Sequence, residues 1–351
     1  MPPKKFRYLR WLNVILILVT FLAYLSPYVH PSTFWPPSFF GLIFPWLLLA
    51  NFLFVLTWVS LRQRYFLFSL GCILMGWGNV KSIVGIHSSN PVIESSIRVM
   101  TFNTRSIRDK DNSNQKLSIE ELKQFTQLEK VDILSLQEFP SGQGNKPHMN
   151  AIAEQSGLKY YYNDMGYGLL IYSKYPVLNK GGKYFNNRAN GFQFIDIEKE
   201  GQKFRIYNIH LQSNLVSGTA DKVAQNGNLQ EKETWLDIRR MMGKYRYFSK
   251  RRAEQAKEIV EHMAQSPHPI ILCGDFNDVP QSHAYHLLSG ALQDGFKKKG
   301  QGLGFTFTGD LPGLRIDYIM AQKAFKFLGY QKKEVSYSDH QAIIASLKLR
   351  N

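Results

Sequence analysis

The sequence predicts an α/β protein in which sheet packs on sheet with helices outside, preceded by transmembrane helices. Three observations carry that prediction. Residues 1–90 of the 351 contain no Asp or Glu and hold three long apolar runs. From Ile97 onward, short alternating or apolar runs recur with few helical patterns between them, as expected of stacked sheets. The polar residues of those runs collect at their ends: Asn103, Glu138, His210, Asp275, Asn277, Asp317, Asp339 and His340.

The charge is uneven as well. The formal net charge is +16, and seven positive charges (Lys4, Lys5, Arg7, Arg10, Arg62, Arg64, Lys81) lie in the first ninety residues. The rest of the chain keeps the other nine, which favours an acidic partner: a phosphate ester, nucleic acid or an anionic membrane surface. Two cysteines, Cys72 and Cys273, make no disulfide framework.

Residues 1–89 read as a membrane anchor of about three spans, over 11–29, 39–61 and 65–86. The first run shares its charged start with a signal peptide, but two further runs argue against cleavage. The second contains Pro45, which membrane helices tolerate. The third is weaker, with Gly71, Gly76, Gly78 and a late Lys81. Lys4–Arg10 and Arg62/Arg64 are the basic flanks, so both belong on the cytoplasmic side. Three crossings then leave the C-terminal domain outside the cytoplasm; without the third it is cytoplasmic. A buried apolar hairpin of a soluble protein is the alternative to an anchor. A channel is disfavoured, because Lys81 is the one ionisable residue within the spans.

A polar linker follows at 90–96, and the domain of 97–351 begins with a strand, Ile97–Asn103. After a polar loop (109–115), Ser118-Ile119-Glu120-Glu121 opens a helix. Val131–Glu138 is a second strand. Met149–Gly157 is helical, and Gly168–Ser173 is another strand. Phe192–Glu198 and Lys203–Leu211 form a hairpin. A polar insert at 216–228 precedes a long helix from about Glu231 to Ala264. Later come a short helix at 282–288, the strand Arg315–Met320 and a last strand, Ala342–Leu349.

The stretch Cys273–Asp278 organises this domain. It follows the apolar run Pro269–Leu272 and precedes Val279-Pro280, so a carboxylate and a carboxamide stand at the carboxyl end of a core strand. Open α/β sheets bind ligands at that end. Asp275 and Asn277 face one side and Phe276 the other. An acceptor beside a donor suits a water-activating base next to a group that holds an oxyanion. An Asx-rich turn is the bland alternative for so short a stretch.

The set Thr101-Phe102-Asn103, Gln137-Glu138, Asn208-Ile209-His210-Leu211, Gly274-Asp275-Phe276-Asn277, Arg315-Ile316-Asp317-Tyr318 and Ser338-Asp339-His340 resembles the endonuclease/exonuclease/phosphatase superfamily. The resemblance implies a deoxyribonuclease I-like, four-layer α/β sandwich over about 97–350. It implies a hard divalent cation, Mg2+ or Mn2+, on Glu138, Asn103 and Asp339. It also implies that Asp275 orients or deprotonates the attacking water and that Asn277 and His210 hold the phosphate. His340 would then contact the scissile group, with Asp317 fixing its tautomer. Arg105 stands where abasic-site endonucleases carry an acid, and His210-Leu211 is nearer the phosphatase and sphingomyelinase form.

Arg239–Arg252 holds seven bases and no acid, and reads either as a solvated helix face or as a contact to anionic phosphate. The expectation is a membrane-anchored, metal-dependent phosphoesterase acting on a lipid head group, a nucleotide or nucleic acid. No obligate protein partner is evident in the sequence. A nuclease, or a non-catalytic binding module on the same fold, is the alternative.

Overall fold

The computed structural model describes residues 6–87, 96–107, 115–140, 143–163, 168–185, 190–213, 231–309 and 313–350. Most of the expected linker at 90–96, most of the polar loop at 109–115 and the insert at 216–228 lie outside them.

The N-terminal third is helical. Arg7–Leu25 (α1) is one 19-residue helix. Pro36–Leu42 (α2) and Phe44–Ser60 (α3) meet at a 70° bend. Pro45 falls in the first turn of α3, where its missing N–H costs nothing, so it starts a helix instead of interrupting one. Phe66–Met75 (α4) has ten residues and stops at Gly76. A short turn of helix, Trp77–Val80, leads into the strand Val84–Ile86 (β1).

The third run therefore differs from the continuous span expected over 65–86. At 1.5 Å per residue α4 covers about 15 Å, half of a hydrocarbon layer. Among the described residues only α1 is long and apolar enough to cross a membrane alone, with bent α2–α3 a second candidate. The helices are tied by uncharged polar groups. Asn13 Nδ2 donates to Ser69 Oγ (2.6 Å), Trp58 Nε1 to Asn13 Oδ1 (2.9 Å) and Asn51 Nδ2 to Thr20 Oγ1 (2.9 Å).

Two six-stranded sheets follow. The strands in chain order are β2 (Ile97–Asn103), β3 (Ile133–Gln137), β4 (Tyr160–Tyr162), β5 (Leu170–Ser173), β6 (Val177–Tyr184), β7 (Gly191–Lys199), β8 (Gln202–His210), β9 (Ile270–Asp275), β10 (Leu292–Asp294), β11 (Gln301–Leu303), β12 (Asp317–Gln322), β13 (Phe325–Lys333) and β14 (Ala342–Leu349). One sheet runs β13-β14-β2-β3-β5-β4 and the other β10-β12-β9-β8-β7-β6. Among the described strands only β2–β3 and β8–β9 pair in parallel. The edge strands β4, β6 and β13 carry exposed or half-exposed residues, which hides them from a search for buried runs.

Alternation builds the layers. Ile97, Val99, Ile206, Ile271, Cys273 and Ile343 point between the sheets. Met100, Phe102, Leu134 and Leu136 point out under the helices Gln115–Glu129 and Lys146–Ser156. Tyr207, Ile209 and Leu272 point out on the other side, under the helix Lys232–Ala264. The result is the four-layer sandwich: helix, sheet, sheet, helix.

The sandwich rests on the N-terminal helices. Tyr245 Oη donates to Ser38 O (2.9 Å), Gln281 Nε2 to Ser82 Oγ (2.9 Å) and His283 Nδ1 to Pro27 O (2.8 Å). β1 pairs with β11, Val84 opposite Leu303.

Candidate active site

Each inner strand face turns from apolar to polar at the same edge. On β8, Phe204 and Ile206 give way to Asn208 and His210. On β9, Ile271 and Cys273 give way to Asp275; on β2, Ile97 and Val99 give way to Thr101 and Asn103. Register then aligns the polar ends. Asp275 lies opposite both His210 and Asp317, and Asn103 opposite Gln137.

Asn103 Nδ2 donates to Asp275 Oδ2 (2.9 Å) and lies 3.2 Å from Glu138 Oε1, linking the two sheets. His210 Nε2 sits 3.5 Å from Glu138 Oε1 and 3.7 Å from Asp275 Oδ2. Asn277 donates its backbone N–H to Asp275 Oδ1 (2.7 Å) and its amide to Leu211 O (2.9 Å). His340 Nδ1 faces both oxygens of Asp317 (3.1 and 3.0 Å), which leaves Nε2 directed at Asp275 Oδ2, 4.0 Å away.

Backbone shape serves the same edge. Glu138 (φ 51°) and Asn277 (φ 50°) both occupy the left-handed region, turning the chain sharply as each strand ends. Gly274 has φ 139°, and a Cβ there would lie 2.0 Å from Ile209 O, so only glycine lets β9 lie against β8 beneath Asp275.

The sequence-predicted residues converge, but in a different grouping. The possible metal ligands that lie closest together among the described residues are Asp275, Asp317 and His340, within 4.8 Å of one another. Of the expected ligands, Glu138 and Asn103 join them through the contacts above. Asp339 stands beside them with its carboxylate 3.6 Å from Arg105 Nε.

Burial, and then the Asp317 charge, push the Asp275 carboxyl above its usual range. Burial alone would lower His340, but the carboxylates of Asp317 and Asp275 outweigh it and push the imidazole up to about 10. Oxygen donors of both sheets thus crowd together, with the His340 imidazolium held among them. That crowding, and the carboxylate oxygens of Glu138 and Asp275, fit a hard divalent cation; Asn103, expected as a ligand, instead turns its Nδ2 to both carboxylates while its Oδ1 accepts from the Arg105 N–H (3.0 Å).

Sequence reasoning gave no role to the residues beneath this edge. Gln137 Nε2 donates to Asn208 Oδ1 (2.6 Å) across the sheets, and Asn208 Nδ2 donates to Leu136 O (2.8 Å) and Leu170 O (3.2 Å). Thr306 Oγ1 accepts from the N–H groups of Ile316 and Asp317, 3.1 Å each. Ser338 Oγ donates to Asn103 O (2.8 Å). The signal was available for Asn208, an amide that follows Phe204 and Ile206 on the inner face of β8. Arg252, expected as a structural residue of the outer helix, is fully buried, with Nε 2.8 Å from Asp278 Oδ2.

The sequence profile of the endonuclease/exonuclease/phosphatase family matches residues 100–340. The chain belongs to the endonuclease/exonuclease/phosphatase family. Members of this family hydrolyse phosphoester bonds and generally depend on a divalent metal, and this chain is a hydrolase of that class. A profile described as a domain of unknown function (DUF8431) matches residues 6–83. No curated protein matches the chain.

Solved structures share the fold. An endonuclease/exonuclease/phosphatase from Beutenbergia cavernae aligns with TM-score 0.53 at 18% identity over 73% of this chain and 72% of that one. One from Bacteroides vulgatus aligns with TM-score 0.51 at 18% identity, over 73% and 100%. D. rerio TDP2 complexed with a single-strand DNA product gives 0.53 at 14% identity, over 73% and 100%. The alternative of a channel with an appended domain finds no support in this family membership.

Proposed function

We propose that this chain is a membrane-anchored, Mg2+-dependent phosphoesterase that cleaves a phosphodiester or phosphomonoester by attack of water. The observation that carries the reading is the meeting of Glu138, Asn103, His210, Asp275 and the Asp317–His340 pair at one sheet edge. Mg2+ would be held by Glu138, with Asp339 at the margin and Asn103 joining only with its amide reversed, and when bound it would neutralise charge on a phosphoryl oxygen. Asp275, whose raised affinity for protons suits a base, orients and deprotonates water. Asn277 keeps Asp275 aimed through its N–H, and its amide, which donates to Leu211 O and Asp275 Oδ2, would turn from one of these to hold a phosphoryl oxygen. His340, fixed and kept cationic by Asp317, presents Nε2 to the phosphate, and His210 approaches it from β8.

The anchor reading is supported by where the charges fall. Arg10 donates to Tyr65 Oη (3.0 Å), so the basic N-terminus and the Arg62/Arg64 turn share one end of the helices. Ser38, Pro27 and Ser82, at the other end, touch the sandwich. Positive residues on the cytoplasmic side then put the catalytic domain outside the cytoplasm. That placement requires the stretch from α4 to β1 to make the third crossing, which a C-terminal reporter fusion tests.

With Mg2+ and a generic soluble phosphodiester, Asp275→Ala and His340→Ala should each lower turnover by about 10²–10⁴-fold. Near-normal turnover by either folded variant removes the mechanism.

A further inference from the structure

A cavity of about 510 Å3 lies where the N-terminal helices meet the sandwich. It falls within the range of about 300–1,000 Å3 that small-ligand pockets occupy. Leu49 and Phe52 of α3, Ile73 of α4, Ile83, and Leu303 and Phe305 of the sandwich form half of its wall. Every residue lining it is apolar or glycine. Leu49 and Phe52 are also about half exposed on the outer side of α3, so the cavity opens on the surface that the anchor reading gives to lipid.

The same wall runs into the active site. Phe305 packs with Phe44, Leu47 and Ile83 of the N-terminal helices. Thr306, next in the chain, accepts from the N–H of Asp317. Phe307 bridges to His340, and their rings lie 5.2 Å apart. Two extended residues span about 7 Å, so the cavity wall and the catalytic imidazole are one short segment apart. Lys332 Nζ holds that segment by donating to Leu303 O (2.6 Å) and Phe305 O (2.8 Å).

Charge completes the picture. Residues 1–90 contain no carboxylate, and the exposed Lys81 lies in the chain between the lining residues Val80 and Ile83, which brings a cation close to the cleft. An apolar cleft with a cation close by, leading to a phosphate-cleaving site, is complementary to one kind of molecule: an apolar tail carrying an anionic phosphate head.

We infer that this cleft takes an acyl chain of the substrate, which is a membrane lipid phosphoester whose head group reaches Asp275 and His340. The inference rests on the phosphoesterase reading of the site and names its substrate class. The chain enters from the bilayer over the exposed faces of Leu49 and Phe52, and the head group stays at the level of the strand ends.

The test uses the full chain in lipid nanodiscs with Mg2+, as wild type, Leu49→Trp, which fills the cleft, and Leu303→Glu, which charges its exposed mouth. Two substrates are compared: a soluble aryl phosphodiester, and phosphodiester lipids of one head group with short or long acyl chains, repeated for several head groups. Wild type should turn over the long-chain lipid faster than the short. Each variant should lower the ratio of long-chain to soluble turnover by at least about tenfold, the scale of a few methylenes lost from a pocket. Variants that keep the wild-type ratio overturn the inference, as do equal losses on both substrates. Wild type that hydrolyses the soluble diester and no lipid also overturns it, while leaving the phosphoesterase reading intact. Hydrolysis of nothing removes that reading first, and this one with it.

Discussion

The N-terminal helices and the sandwich bury polar groups by opposite means. The helices use uncharged partners: Asn13 with Ser69 and Trp58, and Asn51 with Thr20. The sandwich uses full charges in closed pairs. Arg205 grips Asp196 through two bonds (2.6 and 2.7 Å), Arg315 grips Asp294 (3.0 and 2.5 Å) and Arg252 meets Asp278. The active-site edge follows neither rule, because its carboxylates outnumber the cations beside them. A structural charge in this protein comes with its partner, so charge left without one marks the place built for something the chain does not supply.

The largest expected effect comes from opening a closed pair. Asp294→Asn leaves the Arg315 guanidinium buried without its counter-ion and should cost about 3–5 kcal/mol near neutral pH, read by denaturant unfolding of the detergent-solubilised chain. Burial would raise the Asp294 carboxyl, but Arg315 outweighs burial and holds it down to about 2. A depressed folded-state pKa gives stability that is complete above the ordinary carboxylate range and disappears as pH falls. The gap between wild type and variant should therefore shrink by about 2 kcal/mol between about pH 4 and 2. A gap independent of pH would mean that the pair contributes packing and not charge.

Next is the polar bridge under the site. Asn208→Leu strips the acceptor from Gln137 and the donor from the carbonyls of Leu136 and Leu170. The expected cost is about 1–3 kcal/mol for buried groups left unpaired. Glu138 follows Gln137 directly, so turnover should fall as well. Turnover equal to wild type in a destabilised variant would show that the bridge holds the sheets together without positioning the site.

Much of this site could be read in the sequence because its parts are strand ends, and strands announce themselves by apolar runs. Asp275 after Ile271-Leu272 and His210 after Ile206-Tyr207 were visible that way. Partition among roles was not visible, because it depends on register: that Asp317 lies opposite Asp275 follows from strand pairing, which no local pattern encodes. Arg252 reads as a structural residue of the outer helix, but its partner was hidden for the same reason. Its burial depends on Asp278, twenty-six residues away. The N-terminal third misled in another way. Hydropathy counts apolar residues, and the stretch 65–86 has enough of them, yet Gly76 ends the helix and β1 pairs with β11.

At the edge itself the comparison predicts a change in binding with little change in stability. Glu138 is about one-third exposed and answers to Asn103 and His210 instead of a buried Arg. Glu138→Gln should weaken Mg2+ binding by about tenfold or more by calorimetry, with unfolding nearly as in wild type. A loss of stability comparable to that of Asp294→Asn would place Glu138 among the structural charges.

The smallest effect is expected in the helices, and its size separates the two environments they could occupy. Asn13→Leu removes the partner of both Ser69 and Trp58. In lipid such a bond is worth about 0.6 kcal/mol, since the separated helices find other partners there. In a water-soluble core, leaving a hydroxyl and an indole N–H unpaired costs about 1–3 kcal/mol for each group. Leu12, Ile15 and Leu18 of α1 are all more than half exposed, an apolar face that water would penalise and acyl chains would cover. Unfolding of Asn13→Leu from nanodiscs should therefore differ from wild type by less than about 1 kcal/mol. A loss several times larger would identify the bundle as a folded core in water and take the anchor away.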